Sequence, residues 1–188
     1  MSSSGAKPSL DPAALAFRPL TLADLPRLHA WFQAPHVRPW FGERSLDEVV
    51  SEYAGYVDGR VPIHAFFVEL GAPVRPIGMV SWERFGDFPE MMDGYQVDDP
   101  DAANCDVLLG EADVIHRGLG APLVGRLLRE HVFADPRITQ CIIDPHAANA
   151  AAIRAYAKAG FQHLRHVNDQ EDGRALALMV LRREDVTP

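Results

Sequence analysis

Apolar residues recur along this chain with two periods, one typical of helices and the other of strands. Helical spacing predicts four helices, over residues 21–31, 45–58, 119–132 and 148–158. Ser45 and Glu48 form a capping box at the start of the second helix, and Gly59 can end it. Short β-favouring runs predict seven strands, over residues 15–20, 63–70, 76–82, 104–109, 138–143, 161–167 and 175–181.

The order of these elements predicts an α/β fold. Strands and helices interleaved in this way favour a mixed central sheet of about seven strands, with about four helices on its faces. The chain has 188 residues, 47% of them apolar, which is enough for one core in a single domain. Residues 1–13 are rich in Ser, Pro and Ala, so we expect a disordered tail there and the domain over residues 14–188. Residues 83–101 lack periodicity and predict a long surface excursion.

Charge and composition argue against several classes of protein. The net charge is −8 and no basic run exceeds two residues, so we expect no nucleic-acid partner. No apolar stretch is long enough for a membrane span or a signal peptide, which predicts a cytoplasmic protein. Cys105 and Cys141 lie in apolar runs and are expected to be buried, reduced thiols. His163 and His166 are expected on opposite faces of a strand, and we predict no metal site.

Two segments point to a specific chemistry. Gly118 and Gly120 follow a strand and begin a helix, where close backbone approach and the helix dipole favour a phosphate. The glycines alone are a weak signal, because a helix also begins after glycine without any ligand. The second segment, residues 144–161, starts at a strand end and reads DPHAANAAAIRAYAKAGF.

Together these segments resemble the acetyl-CoA signature of the GNAT superfamily of acetyltransferases. Over residues 17–181 the chain is also similar to aminoglycoside 6′-N-acetyltransferases and to siderophore lysine N-acyltransferases. The aromatic loop 36–42, Asp106 on the fourth strand and Asp144 before Pro145 carry that closer resemblance. The superfamily usually has Gln or Arg three residues before the first glycine, whereas this chain has Ile115.

The resemblance implies acetyl-CoA as co-substrate. Because Ile115 cannot bind phosphate, backbone amides and Arg117 would have to hold the pyrophosphate. Amides of Val107 and Leu108 would polarise the thioester if the strand carries the bulge usual in the family, and Asn149 would bind pantetheine or simply cap its helix. The implied cofactor-binding residues are Val107, Leu108, His116, Arg117, Gly118, Gly120, Ala121 and Asn149.

The resemblance also implies two catalytic side chains. An alkylamine with a pKa near 10.4 is protonated at pH 7, so acetyl transfer needs a proton acceptor. Asp106 would accept that proton directly or through water, or would only position the ammonium. Tyr156 would return a proton to the departing thiolate. The structural alternatives are an ion pair for Asp106 and core packing for Tyr156.

Residues 83–101 contain seven acids and one base. This excess indicates either a solvated acidic loop or a wall that attracts a cationic acceptor. Glu83 and Asp98 from this stretch are candidate acceptor-binding residues, together with Asp144 and Trp40. Trp40 could stack on a sugar ring or anchor its loop.

Three functions remain open from the sequence. The first is acetylation of a primary amine on a small, aminoglycoside-like cation. The second keeps the chemistry but uses a siderophore precursor or a peptide amine. The third is a non-catalytic acyl-CoA-binding module, against which Asp106 and Tyr156 argue. The sequence is compatible with a monomer or a homodimer, and it identifies neither the acceptor nor the acyl length.

Overall fold

A computed structural model describes residues 10–169 and 172–186. Within these residues, seven strands form one sheet in the order β1-β2-β3-β4-β5-β7-β6. Strands β4 and β5 are parallel and all other neighbours are antiparallel, so the predicted mixed sheet is confirmed. The strands are β1 Leu15–Pro19, β2 His64–Leu70, β3 Arg75–Arg84, β4 Ala103–Leu109, β5 Gln140–Ile143, β6 Gln162–Asn168 and β7 Ala175–Arg182.

Six α-helices accompany the sheet in the described part of the chain. They are α1 Leu25–Phe32, α2 Arg38–Phe41, α3 Leu46–Val57, α4 Pro89–Tyr95, α5 Gly120–Leu127 and α6 Ala150–Lys158. The predicted capping box of α3 is present, since Ser45 Oγ accepts from the Glu48 amide at 3.3 Å and the Glu48 carboxylate accepts from the Ser45 amide at 2.7 Å. Helix α5 continues as a π-helix over Leu128–Val132, which completes the long helix predicted there.

The segment 83–101 is more ordered than its composition predicts. Strand β3 extends through Arg84, and helix α4 then begins at Pro89, where a missing N–H costs little. Phe85 and Val97 are buried in a small apolar cluster against the sheet. Residues 86–96 are half-buried or exposed, so the segment does run over the surface as predicted, but helix α4 and the buried side chains of Phe85 and Val97 give it more order than expected.

Apolar clusters cover both faces of the sheet. Helices α5 and α6 pack on one face, whereas α1 and α3 pack on the other. Along β4, Cys105 belongs to the first cluster and Leu108 to the second. Because side chains alternate along a strand, Asp106 lies on the same face as Leu108, toward α3. This placement separates Asp106 from the α5–α6 face.

Both cysteines are buried free thiols, as predicted, and their Sγ atoms lie 3.5 Å apart. The prediction for the histidines of β6 is wrong: a register shift between His163 and Arg165 adds a residue to the strand, and the rings of His163 and His166 lie 4.7 Å apart. The extra residue changes which face the second histidine occupies.

The predicted tail falls mostly outside the described residues, which begin at Leu10. Pro12–Ala14 forms a short 3-10 turn that the Asp11 side chain caps. The domain boundaries stay a prediction. No helix among the described residues is long and apolar enough to cross a membrane.

Candidate active site

Strands β4 and β5 separate soon after they meet. Their pairing covers only Ala103 with Cys141 and Asn104 with Ile142. Strand β5 ends at Ile143, whereas β4 continues to Leu109. Residues 105–109 therefore have one edge without a strand partner, and backbone groups on that edge need partners from elsewhere.

A cleft of about 690 Å³ opens at this separation. Its walls are the end of β4, the glycine turn, the facing sides of α5 and α6, and the segment that carries α2. Most of the predicted cofactor residues line it, namely Val107, Leu108, His116, Gly118, Gly120, Ala121 and Asn149. Arg117 does not line it, and its guanidinium donates to the Asp113 carbonyl at 3.3 Å.

The glycine turn has the geometry that the sequence predicts. Gly118 has a φ of +79°, which is the left-handed region that glycine adopts without steric cost. A Cβ on Gly120 would lie 3.0 Å from the Cβ of Ala155, so the absent side chain allows α5 to approach α6. Helix α5 begins without a side-chain cap. Its first amides are thus available to a ligand.

Helix α6 brings Asn149 and Tyr156 to the cleft. Asn149 Oδ1 accepts from the Ala152 amide at 3.1 Å, so its capping role is confirmed. Tyr156 is 8% exposed, lines the cleft and also packs against Phe161. Burial raises the pKa of the Tyr156 phenol well above its usual value, so the group keeps its proton at neutral pH.

The bulge expected in β4 is absent. Val107 pairs with Val80 and Leu108 with Met79, and the β3–β4 register is unbroken. The amides that face the cleft are instead available because β5 ends early. The separation of β4 from β5 therefore exposes these amides without the β-bulge that the resemblance implied.

Asp106 lies on the α3 side of β4 and is partly exposed. Burial, together with the charges of Asp144 and Glu52, raises the pKa of this carboxyl to about 7, while Arg44 opposes the shift. Glu52 is itself bound to Arg44 and accepts from the Tyr56 hydroxyl at 3.1 Å. The Asp106 carboxyl can thus accept or release a proton near neutral pH.

Asp144 lies near this carboxyl at the end of β5. Burial raises the pKa of Asp144, while a hydrogen bond donated by the Tyr95 hydroxyl opposes that shift. Sequence reasoning missed Tyr95, because only the unpredicted helix α4 places it against a strand end 49 residues further along. Together Asp106 and Asp144 form an acidic pair, which the resemblance implies would face the acceptor.

Glu83 does not lie on a surface wall as predicted. It is 6% exposed on β3 and accepts from Asn104 Nδ2 at 3.1 Å. Burial and the neighbouring charge of Asp106 raise the pKa of Glu83 well above its usual value. This shift favours the neutral form of the carboxyl and reduces its negative charge in the site.

The other acids of residues 83–101 do not form one wall. Asp87 and Asp101 pair with Arg84, at 3.4 and 3.3 Å. Asp99 accepts from the Thr139 hydroxyl at 2.6 Å, just before β5, whereas Asp144 follows the other end of that strand. Thr139 and Asp144 are five positions apart, which corresponds to about 16 Å along an extended chain. Asp98 is exposed beside Asp99 and thus lies away from the acidic pair.

Trp40 anchors the α2 segment over the cleft. The Trp40 carbonyl accepts from His146 Nε2 at 3.0 Å, and the two rings lie 6.2 Å apart. Arg174 donates to the Pro39 carbonyl at 2.8 Å. The contact of the Trp40 ring with His146 agrees with the anchoring interpretation, and stacking on a sugar ring stays a prediction.

One group among the described side chains has ligand atoms spaced for a metal ion. It consists of His146, Asp169 and Asp172, whose candidate ligand atoms lie within 4.8 Å of one another. Asp172 is already paired with Arg174 at 2.6 Å. We therefore keep the prediction that the protein binds no metal ion.

The uncapped glycine turn and the cleft between β4 and β5 are placed as the resemblance implies for a transferase that uses an acyl thioester. Residues 21–169 match the family described as an Acetyltransferase (GNAT) domain. The chain belongs to the GNAT acetyltransferase family, so the predicted class of enzyme is confirmed.

Individual relatives agree with this assignment. Aminoglycoside N(6')-acetyltransferase type 1 from Klebsiella pneumoniae is 32% identical over 155 residues, which are 79% of this chain and 74% of that protein. The aminoglycoside acetyltransferase AAC(6')-Ib in complex with coenzyme A has a TM-score of 0.79 and 30% identity, over 91% of this chain and 96% of that one. Its complex with coenzyme A and kanamycin has the same TM-score and coverage at 28% identity.

Proposed function

We propose that this protein transfers the acetyl group of acetyl-CoA to a primary amine of an aminoglycoside-like acceptor. The observation that carries the proposal is the acidic pair, Asp106 and Asp144, beside a cleft that ends in an uncapped glycine turn. The relatives named for aminoglycoside acetylation, and the one bound to coenzyme A and kanamycin, support the same pair of substrates.

Asp106 accepts the proton that the amine must lose. A carboxyl with a pKa of about 7 is roughly half ionised at pH 7, which suits a general base at that pH. The acceptor amine arrives as an ammonium, and the charges of Asp106 and Asp144 attract it. The ammonium then passes one proton to Asp106, directly or through one water, and the freed lone pair attacks the thioester carbonyl.

The cleft stabilises the intermediate and the leaving group. Backbone amides on the free edge of β4 are suited to the oxyanion that forms on the carbonyl carbon. As the carbon–sulfur bond breaks, Tyr156 gives its phenolic proton to the thiolate and regains one from the new amide nitrogen. The net products are the N-acetyl acceptor, the free thiol and one proton, which Asp106 releases to solvent.

The proposal is tested by release of the coenzyme A thiol with a panel of amines. The panel contains kanamycin-type aminoglycosides, linear polyamines, N6-hydroxylysine, a peptide amine and a neutral amino sugar. We expect the highest kcat/KM for an aminoglycoside. A matched pair of variants, Asp144→Asn and Asp98→Asn, should raise the acceptor KM only for the first, since only Asp144 lies beside Asp106. A neutral acceptor that reacts faster than every aminoglycoside and polyamine would overturn the proposal.

A further inference from the structure

A second cavity, of about 150 Å³, lies where β2 begins and β3 ends. Its lining includes His64 from β2, Trp82 and Arg84 from β3, Asp87 from the turn that follows, and Asp135 and Arg137 from the segment before β5. Among the described residues, none lines both this cavity and the cleft. Trp82 pairs with Cys105 near the start of β4, whereas the cleft lies at the end of that strand. The cavity is therefore a separate site.

Two side chains of this lining have buried donor atoms with no hydrogen-bond partner among the described residues. One is the indole Nε1 of Trp82, a residue that is only 7% exposed. The other is Nε of Arg84, which has Asp87 Oδ2 at 3.4 Å as an ion-pair partner but makes no hydrogen bond. Trp82 and Arg84 are two positions apart on β3, so they lie on the same face of the strand, about 7 Å from each other.

Both of these atoms require an acceptor. An indole N–H and a guanidinium donate hydrogen bonds and have no acceptor atom of their own. Buried donors in folded proteins are normally satisfied by another group, by water or by a ligand. The His64 ring stacks on the Trp82 ring, with centroids 4.3 Å apart and planes 20° apart. This contact holds the indole N–H in a fixed position.

The charges around the cavity compensate each other. Arg84 pairs with Asp87 at 3.4 Å, and Arg137 pairs with Asp135 at 2.6 Å. Hydrogen bonds from Arg137 lower the pKa of Asp135 to about 2, so this carboxylate is ionised at neutral pH. Arg84 also pairs with Asp101 at 3.3 Å. An anion therefore meets no uncompensated cation among the lining side chains that the structure describes, and it is repelled by two carboxylates. A neutral ligand avoids that repulsion.

The volume of the cavity limits the size of its occupant. A cavity of about 150 Å³ can hold a molecule as large as benzene, which is much larger than one water. His64 and Arg137 are exposed, so a ligand can enter from solvent. Water is the competing occupant, because a polar cavity of this size has room for several molecules.

We propose that this cavity is a second binding site, for a small neutral molecule whose oxygen atoms accept hydrogen bonds from Trp82 Nε1 and Arg84 Nε. Amides and polyols have this chemistry. Each carries an acceptor oxygen, together with N–H or O–H groups that can donate to Asp87 or Asp135. The site goes beyond the proposed function and does not rest on it, because acetyl transfer uses the cleft and the acidic pair.

The NMR signals of the indole N–H groups test the site. The chain has three tryptophans, and Trp82→Phe identifies the Trp82 signal by its loss. The probes are acetamide, ethylene glycol and acetate, at constant ionic strength, since acetate is an anion of nearly the same shape as acetamide. The two neutral probes should move the Trp82 signal along a saturable curve, with a Kd on the order of millimolar for such small ligands. Acetate should bind at least about tenfold more weakly.

The other two tryptophans are internal controls for these titrations. Trp31 Nε1 already donates to Glu111 at 3.0 Å, and Trp40 lines the cleft. Both signals should stay in place while the Trp82 signal moves. Binding of only one neutral probe would support the site and assign it to amides or to polyols.

Two variants separate hydrogen bonding from charge. Arg84→Lys keeps the positive charge but removes Nε–H, so acetamide binding should weaken by about tenfold. The control Arg182→Lys changes an exposed arginine outside the lining and should keep the wild-type affinity. Asp87→Asn removes one compensating acid, so acetate should bind at least about tenfold more tightly than it does to the wild type. Circular dichroism checks that each variant is folded.

Three results would count against the site. The first is a Trp82 signal that does not move or does not saturate with either neutral probe, which would leave water as the occupant. The second is acetate that binds the wild type as tightly as acetamide does. The third is an equal loss of acetamide affinity in Arg84→Lys and Arg182→Lys. If Arg84→Lys does not fold, the wild-type titrations and Asp87→Asn decide. Each of these results leaves the proposed function standing.

Discussion

The cleft and the acceptor side both adjoin β4, but they differ in charge and in how that charge is held. The lining of the cleft includes the basic side chains of an exposed face of α6. Among the residues that the structure describes, no carboxylate lines the cleft. On the acceptor side, Asp106 and Asp144 are acids whose pKa values burial raises. Under the proposed function, a single strand separates the site for acetyl-CoA from the site for the cationic amine. The first site would then act through permanent charge, and the second through proton exchange at Asp106.

The strongest way to break this comparison is to remove the proton acceptor. Asp106→Asn keeps the shape of the side chain but neither the charge nor the basicity, so kcat should fall by about 10²–10⁴-fold at pH 7. Acetyl-CoA affinity should not change, because the cleft is unaltered. Steady-state kinetics and calorimetry measure the two quantities, and part of the rate should return at high pH, where the amine is already neutral.

Asp98→Asn is the control for that experiment, since it removes an exposed acid outside the acidic pair. A higher acceptor KM with an unchanged kcat would show that Asp106 only positions the ammonium. Wild-type values for both constants would remove Asp106 from the mechanism.

A second way to break the comparison is to place an acid in the basic site. Gly120→Asp puts a negative charge at the start of α5, where it stabilises the helix but repels phosphate. We expect acetyl-CoA affinity to fall by about a hundredfold in a folded protein. In Gly120→Ala, the new Cβ makes the same 3.0 Å contact with Ala155 but adds no charge. This variant should therefore lose less affinity for acetyl-CoA. Equal losses in the two variants would assign the effect to crowding alone.

The pH dependence of kcat/KM tests the comparison further, and it is the smallest effect that we expect. The ionised form of Asp106 is the active one, and it is populated above the pKa, so kcat/KM should rise with pH through about 7 and be about tenfold below its plateau at pH 6. Glu83→Gln should keep this profile, because the raised pKa of Glu83 favours its neutral form and glutamine is a neutral group of the same shape. A midpoint displaced by more than about one pH unit in that variant would show that Glu83 ionises there.

The sequence predicted those features that depend on neighbouring residues. The Ser45–Glu48 capping box and the turn at Gly118 depend on residues within three or four positions of each other, and both are present. Helix α4 was missed because its short, polar sequence is held by Phe85 and other buried contacts with the sheet. Its stability comes from tertiary packing rather than from helical periodicity.

The features that the sequence could not predict depend on long-range contacts. Glu83 resembles a surface acid in the sequence, and only the pairing of β3 with β4 places it against Asn104. Tyr95 meets Asp144 because α4 folds back on the sheet. The contact of Gly120 with Ala155 follows from the approach of α5 to α6, which no local pattern encodes.

The early end of β5 has a further consequence for how the protein resists unfolding. Without ligand, residues 105–109 have no strand partner on the β5 side. An amide on such an unpaired edge exchanges its hydrogen readily. A pantetheine chain in the opening would occupy the place of the missing strand. Loading with co-substrate should therefore slow deuterium uptake in this one strand and couple the two halves of the sheet into one cooperative unit.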